Sequence, residues 1–246
     1  MPQPTPSSSL PSSSAILPAP FAWIDIPKRV SLVVYESYSI AKYPVTNAQF
    51  AKFIEADGYN QKRWWTNAGW EQREKEKWTQ PRFWTDAKWN GAEHPVVGVS
   101  WYESAAFCLW LSDVTGEKIM LPTEWQWLFA AQGDKVLIYP WGYEWDASRC
   151  NNNVEGKGIG QTTPVHQYEG KGDSPFGVVD MVGNVWELCL KSFKNEVADS
   201  FVIAAVVVHG GSWNDRSTGL FHCRCDYKLS PDYWNYFITG FRIVRF

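Results

Sequence analysis

Residues 174–189 read SPFGVVDMVGNVWELC, a stretch that combines a glycine turn with carboxylates on both sides. A turn at Gly183 can present backbone carbonyl oxygens, and Asp180 and Glu187 add side-chain oxygens nearby. Oxygen ligands on an irregular loop are typical of a calcium site. The alternative is that the two carboxylates only accept hydrogen bonds from loop amides.

Three stretches outside this loop carry the same helix-start signal. Each has a Thr or Ser followed three residues later by Glu or Gln, which is the spacing of a capping box. The pairs are Thr46 with Gln49, Ser100 with Glu103, and Thr123 with Gln126. Apolar residues then recur at helical spacing, and Gly116 and Gly133 follow the second and third patterns. The sequence therefore predicts three helices.

The rest of the sequence predicts short strands and long loops. Alternation over residues 29–45 favours a hairpin, and β-branched runs at 205–211 and 239–246 indicate further strands, the last docking at the C-terminus. Residues 57–98 and 133–176 are rich in Gly, Asn and Trp and have little periodicity. Loops of that length usually carry function or bound ions.

Residues 1–20 read MPQPTPSSSLPSSSAILPAP, a Pro/Ser-rich tract that lacks the residues for a core. We expect a linker or disordered tail there, through which the chain would be fused to another domain. Residues 21–246 are long enough to form a single domain with one core. We find no internal repeat.

Composition excludes several classes of protein. The net charge of the 246 residues is -3, so no basic face indicates nucleic acid. The apolar run 201–208 is too short to span a bilayer, and no signal-peptide pattern opens the chain. The five Cys and four His form no CxxC or HxxxH pair, which argues against zinc. Together these features predict a cytoplasmic protein with reduced thiols.

Eight motifs follow one another in the order found in the formylglycine-generating enzymes, or sulfatase-modifying factors. They are KYPVTNAQFAKFI (42–54), HPVVGVSWYESAAFCLWL (94–111), LPTEWQWLFAA (121–131), YPWG (139–142), TTPVHQY (162–168), SPFGVVDMVGNVWELC (174–189), GGSW (210–213) and GFRIV (240–244). From about residue 23 onward the chain therefore resembles this family. The resemblance implies an α+β domain of C-type-lectin-like fold, low in regular secondary structure, whose N- and C-terminal strands pair.

The resemblance also implies structural calcium. In the family, the loop around residue 183 binds Ca²⁺, and the matching ligands here are the side chains of Asp180 and Glu187 with the carbonyls of Gly183 and Val185.

A second calcium site of the family maps to Asn151 and to the carbonyls of Asn152 and Ile159. Its carboxylate falls near Lys157, so this chain departs from the pattern there, although Glu155 is close in sequence.

Residues of the last two motifs, GGSW and GFRIV, are predicted to close the fold. Gly210 and Gly211 would permit a bend and a close approach of two backbones. Phe241 is expected in the core, and Arg242 would hold an internal carboxylate through a bidentate ion pair.

The catalytic residues of the resembled enzymes are missing. Those enzymes oxidise a substrate cysteine with two copper-binding cysteines just after the GGS motif, and thiolates suit Cu(I) because both are soft. The aligned positions here are Asp215 and Leu220, so we expect neither copper nor catalysis. Cys223 and Cys225 would share one face of an extended segment, but two unrelated apolar thiols are the simpler interpretation.

Segment 213–239, between GGSW and the last strand, is predicted to be a loop rich in aromatic residues. Exposed aromatic rings mixed with charged residues are typical of a binding surface, where stiff rings act as anchors. The candidate ligand-binding residues are Asn214, Asp215, Arg216, Phe221, His222, Asp226, Tyr227, Lys228, Tyr233, Trp234, Tyr236 and Phe237.

This arrangement resembles the variable proteins of diversity-generating retroelements, whose last stretch is rewritten residue by residue on the same lectin fold. The resemblance implies an outward-facing segment that binds a protein or another macromolecule. The alternative is a fixed loop whose aromatic side chains fold back onto the core.

The sequence as a whole thus favours a non-enzymatic ligand-binding module. Two alternatives remain open. The first is an oxidase of the sulfatase-modifying class, or a relative acting through Cys223 and Cys225. The second is a regulatory domain of a larger signalling protein.

Overall fold

A computed structural model of the chain describes residues 10–28, 36–190, 206–233 and 237–246. The α-helices within these ranges are α1 (Ser13–Ile16), α2 (Asn47–Glu55), α3 (Asn67–Glu76), α4 (Trp101–Thr115) and α5 (Glu124–Gln132). The strands are β1 (Trp23–Ile26), β2 (Tyr38–Ala41), β3 (Ile119–Met120), β4 (Trp186–Leu190), β5 (Val206–His209), β6 (Asp226–Leu229), β7 (Thr239–Gly240) and β8 (Val244–Arg245). Long irregular segments join them, and the α+β prediction is confirmed.

The three predicted helices form where their capping boxes place them. The side chains of Thr46, Ser100 and Thr123 accept from the amides three residues on, and all three boxes are reciprocal. Helix α4 ends at Gly116, whose φ of 72° is left-handed and therefore suits a residue without a Cβ atom.

Helix α3 lies inside the segment 57–98 that was predicted to be a loop, and that part of the prediction is wrong. Thr66 caps the helix by accepting from the amide of Gly69. Its sequence, NAGWEQREKE, has no apolar stripe, so the periodicity that reveals a buried helix is missing.

The strands form two four-stranded sheets. One has the order β1-β2-β8-β3, so the C-terminal strand β8 pairs with the N-terminal hairpin. The other has the order β6-β5-β4-β7 and leaves β6 at its edge. Residues 29–35 of the predicted hairpin lie outside the described residues, and the observed hairpin pairs β1 with β2.

The start of the domain lies earlier than the predicted boundary at residue 21. Residues 1–9 are outside the described range, but Ser13 and Leu17 are buried. The indole of Trp23 donates to the Ser13 hydroxyl at 2.9 Å, and the side-chain amide of Gln49 donates to the carbonyls of Pro18 and Pro20. The second half of the predicted tail is therefore held against the domain by these polar contacts and by the burial of Leu17 in the core.

An aromatic cluster between α2, α4 and the C-terminus forms the centre of the core. Phe241 is fully buried, as predicted, and its ring meets those of Phe50 and Phe107 edge-on. Phe50 and Phe107 stack on each other with ring centroids 5.5 Å apart. Each such burial contributes about 1.5–3 kcal/mol, so this cluster fixes the C-terminal residues in place.

Candidate functional site: the loop surface after the GGSW turn

The GGSW turn brings two distant segments into contact. Gly210 and Gly211 have φ values of 100° and 74°, which other residues rarely adopt. A Cβ atom on Gly210 would lie 2.7 Å from the Met181 carbonyl oxygen, so the close approach predicted for these glycines is confirmed. The Gly183 amide then donates to the Gly210 carbonyl at 2.8 Å, which joins the 174–189 loop to the turn.

Asp215 braces this turn. Its Oδ2 accepts from the Ser212 amide at 2.7 Å and from the Ser212 hydroxyl at 2.8 Å. Leu220, the other position aligned with a copper cysteine, is partly buried and packs against the core. Neither side chain can supply a soft thiolate, and both have structural contacts instead.

The two nearby thiols, Cys223 and Cys225, belong to a turn and not to an extended segment. Residues 222–225 form a turn, closed by a 2.8 Å hydrogen bond from the Cys225 amide to the His222 carbonyl, so the extended geometry that would align the thiols is missing. Burial raises the pKa of Cys223 to about 12. Burial, then the charges of Asp226 and Asp215, raise the pKa of Cys225. Both cysteines therefore favour the thiol, which is a poor copper ligand.

Six of the predicted binding residues are exposed, and we call them the loop surface. They are Asn214, Arg216, His222, Asp226, Tyr227 and Lys228. Three of them lie on β6, so the prediction that segment 213–239 is a loop is wrong there. β6 is the edge strand of the second sheet and pairs with β5, with His209 opposite Asp226. Tyr227 is 50% exposed, with its ring edge-on to the buried Trp186 at 5.2 Å.

Two predicted binding residues pack against aromatic rings of the core, one of them fully buried and the other half-buried. Phe221 is fully buried and stacks on Trp145 with centroids 4.9 Å apart. Phe237 is half-buried and stacks on Trp89 at 5.1 Å, and its carbonyl accepts from the Trp213 indole. The prediction is wrong for Phe221, because Trp145 from a distant loop covers its ring. For Phe237, which is only partly covered, binding stays a prediction.

The four remaining candidates are half-buried or lie outside the described residues. Asp215 is half-buried in its brace, and Tyr233 is half-buried with its amide donating to the Ser230 carbonyl. Trp234 and Tyr236 lie outside the described residues.

Glu187 has a cation partner within the protein. Arg242 donates to both of its carboxylate oxygens at 2.7 Å, and the Trp127 indole donates to Oε2 at 2.7 Å. The bidentate pair predicted for Arg242 is therefore confirmed. Glu187 does not fit its predicted role as a calcium ligand, because the guanidinium already neutralises its charge and occupies both oxygens.

Asp180 differs from Glu187 because only one of its two carboxylate oxygens accepts a hydrogen bond from the described residues. Its Oδ2 accepts from the side-chain amide of Asn184 at 2.7 Å, whereas Oδ1 is buried and has no partner among the residues that the structure describes. Burial raises the pKa of Asp180 to about 8, and a cation beside Oδ1 would favour the ionised carboxylate. Asn151 Oδ1 is likewise buried without a partner, and this side chain donates to Asn184 Oδ1 at 3.2 Å. These oxygens fit a hard cation such as Ca²⁺.

Asn184 is the centre of this network, and the sequence analysis gave it no role. It has a left-handed φ of 60° and also donates to the Thr163 carbonyl at 3.0 Å. Its place after Gly183 in a turn was the available signal, because Asn adopts this conformation more readily than most residues.

The predicted second calcium residues meet at a separate cavity. Asn151, Asn152 and Ile159 all line a space of about 420 Å³. Glu155, the nearest candidate carboxylate, pairs with Lys157 at 2.8 Å on the exposed rim. Across the described ranges, no three His, Cys, Asp or Glu side chains gather as a metal cluster, and no helix could cross a membrane.

The two sheets, the reciprocal helix caps and the Gly-rich turn joined to the 174–189 loop define a domain of the C-type-lectin-like fold of the formylglycine-generating-enzyme type. Residues 11–246 match the model of the sulfatase-modifying factor enzyme 1-like domain, and the chain belongs to this family.

The names of the proteins to which this chain is similar indicate different functions. The chain is 29% identical over 220 residues to "Inactive C-alpha-formylglycine-generating enzyme 2" of Bos taurus, covering 76% of this chain and 69% of that protein. It is 31% identical over 216 residues to "Serine/threonine-protein kinase Pkn1" of Chlamydia trachomatis, covering 82% of this chain but only 32% of the kinase. In fold it is similar to "Treponema denticola variable protein 1", with a TM-score of 0.64, 18% identity, and coverage of 92% and 95% of the two chains.

Proposed function

We propose that this chain is a non-enzymatic ligand-binding module, and that it is the variable protein of a diversity-generating retroelement. In this proposal the sheets and the aromatic core stay constant, while the loop surface changes and contacts a protein or another macromolecule.

The observation that carries the proposal is the sharp alternation of exposed and buried residues after the GGSW turn. Asn214 and Arg216 are exposed next to Trp213, which is 6% exposed. His222 is exposed next to Phe221, which is fully buried. A surface of this kind tolerates replacement of its outer side chains, because the neighbouring residues hold the backbone.

The absence of thiolates at the aligned catalytic positions supports a non-enzymatic role. Asp215 and Leu220 have structural contacts, and both nearby thiols have raised pKa values. The relative from Bos taurus is itself named as inactive.

An oxidation assay tests the enzymatic alternative. The copper-loaded protein is incubated with a cysteine-containing sulfatase peptide, and the peptide mass is measured beside that from an active formylglycine-generating enzyme. We expect an unchanged peptide. Loss of the thiol with gain of an aldehyde would overturn the non-enzymatic assignment.

The neighbouring DNA tests the retroelement assignment. We expect a reverse-transcriptase gene and a near-copy of the 3′ end of this gene. Differences between the two copies should fall on the codons of the loop surface and spare those of Trp213 and Phe221. The absence of such a copy, or differences spread over both groups of codons, would contradict the assignment.

A regulatory domain of a signalling protein is the second candidate. The match to a protein named as a kinase supports it, because the matched region is about a third of that protein. A kinase domain encoded in the same reading frame as this chain, with no template copy nearby, would favour this candidate over the first.

As a cofactor, we propose one structural Ca²⁺ held by Asp180 and Asn151 through the side-chain oxygens that have no partner among the described residues. The carbonyls of Gly183 and Val185 are retained as candidate ligands of this ion. Those of Asn152 and Ile159, which line the separate cavity with Asn151, are retained as candidates for a second ion. Glu187 is not retained, because Arg242 occupies it.

A further inference from the structure

Strand β6 leaves one edge of the second sheet without a neighbouring strand among the described residues. The sheet ends at β6 in the order β6-β5-β4-β7, and the side chains of Asp226, Tyr227 and Lys228 are all exposed. The main-chain N–H and C=O groups along such an edge are able to pair with a further strand. The pairing of the inner strands determines which of these groups point outward.

The main chain of β4 sets the orientation of its neighbour, because successive residues of a strand direct their N–H and C=O groups to opposite edges. The amide of Trp186 donates to the Ile238 carbonyl at 2.8 Å, which is on the side away from β5. The main-chain groups of Glu187 therefore point toward β5, where Glu187 pairs with His209. His209 points back to β4, so the residue before it, Val208, points toward β6.

The same alternation continues into β6. Val208 pairs with Tyr227, so the main-chain groups of Tyr227 point inward and those of Asp226 and Lys228 point outward. Within the described ranges, no hydrogen bond uses these outward groups, and neither side chain forms an ion pair. The free edge thus presents two donors and two acceptors, with a negative and a positive side chain two residues apart on one face.

From this arrangement we infer that the edge of β6 pairs with the same edge of a second copy of the chain, antiparallel and about a two-fold axis at Tyr227. In this register, Asp226 of each copy lies opposite Lys228 of the other, so two pairs of opposite charges form. The outward main-chain groups exchange four hydrogen bonds, and the two Tyr227 rings meet at the axis. The two four-stranded sheets become one sheet of eight strands.

Charge complementarity identifies a second copy as the occupant of this edge. Charged side chains on an edge strand usually keep other strands away. A copy of β6 is attracted instead, because its antiparallel order places opposite charges against each other. The inference goes beyond the proposed function and does not rest on it. Since residues 226–228 belong to the loop surface, versions of a variable protein would pair in this way where positions 226 and 228 keep opposite charges.

Charge reversal tests the pairing. The dissociation constant of the dimer is measured by sedimentation equilibrium of the whole chain. Asp226→Lys and Lys228→Asp each place like charges opposite each other, so each variant alone should raise the constant about tenfold or more. An equimolar mixture of the two variants restores both opposite-charge pairs and should form mixed dimers as readily as the unaltered chain dimerises. Glu144→Lys, at an exposed carboxylate outside the sheets, is the matched control and should leave the constant unchanged.

A disulfide at the two-fold axis tests the register. Tyr227→Cys would place two thiols opposite each other in a pair without main-chain hydrogen bonds, where the Cα atoms are about 4.5 Å apart, so oxidation should link two chains. His222→Cys, at an exposed residue outside β6, should not link them. The inference is overturned if the unaltered chain stays monomeric at every concentration, if charge reversal leaves the dissociation constant unchanged, if the mixture of variants forms no dimer, or if both cysteine variants cross-link equally.

Discussion

Arg242 and Glu187 form a bidentate ion pair in the centre of the domain, with both side chains fully or almost fully buried. The remaining guanidinium hydrogens point to backbone carbonyls, including those of Ala41 and Val179 at 3.0 and 2.9 Å. One side chain near the C-terminus therefore joins strand β4, the end of β2 and the 174–189 loop. In this way a single arginine holds the loop that supports the GGSW turn.

Removing one partner of this pair should be severely destabilising. Arg242→Met would leave Glu187 buried without a cation, and such changes cost about 3–5 kcal/mol. Arg245→Met is the matched control, because its pair with Glu117 is partly exposed and should cost about 1 kcal/mol or less. Urea unfolding of both variants measures the free energy of unfolding that each one loses. Equal losses in the two variants would show that the buried pair of Arg242 stabilises the fold no more than the partly exposed pair of Arg245.

Glu103 should make stability depend on pH. Burial raises the pKa of its carboxyl to about 7, although it accepts from the Ser100 amide and the Tyr59 hydroxyl. The folded state therefore keeps the proton that the unfolded state releases near pH 4.5. The protonated carboxyl of Glu103 makes its full contribution to the free energy of unfolding below that pH. This contribution is lost as the pH rises through about 7.

Glu103→Gln removes this titration but keeps an acceptor for the Ser100 amide. We expect the variant to gain up to about 3 kcal/mol relative to the unaltered chain between pH 4.5 and pH 8. Unfolding free energies measured across that range test it. Parallel curves for the two proteins would contradict the raised pKa.

Calcium should stabilise the fold through Asp180. A ligand that binds only the folded state adds about 2.7 kcal/mol at a hundredfold excess over its dissociation constant, so a chelator should lower the melting temperature. Asp180→Asn should abolish the response to the chelator, and Glu144→Gln, at an exposed carboxylate, should retain it. Identical melting curves of the unaltered chain with calcium and with chelator would contradict the proposed ion.

Local signals in the sequence predicted the parts of the fold that depend on neighbouring residues. The capping boxes at Thr46, Ser100 and Thr123 involve residues only three positions apart, so the sequence shows both partners. Helix α3 was missed because its polar sequence leaves no apolar stripe to detect. The pair between Arg242 and Glu187 was predicted only in part, since the resemblance suggested an ion as the partner of Glu187.

The loop surface was predicted less well, because exposure is decided by distant partners. Phe221 and His222 are neighbours, but Trp145 covers Phe221, and His222 stays exposed with its ring edge-on to Tyr139. Composition alone cannot distinguish an aromatic anchor for a ligand from one for the core. The same reason explains the partial burial of Phe237, which stacks on Trp89 almost 150 residues earlier in the chain.

The contrast between exposed and buried positions gives the most direct test of the proposed binding module. Two display libraries are made, one randomised at the loop surface and one randomised at the buried residues Trp213, Phe221 and Phe241. The fraction of protease-resistant, folded variants is then measured in each.

Changes at exposed sites alter stability by about 0.5 kcal/mol. Truncation of a buried aromatic side chain costs about 3–5 kcal/mol. We predict that most of the first library stays folded and that most of the second does not. Equal losses in both libraries would show that the loop surface is part of the core and cannot serve as a variable binding surface.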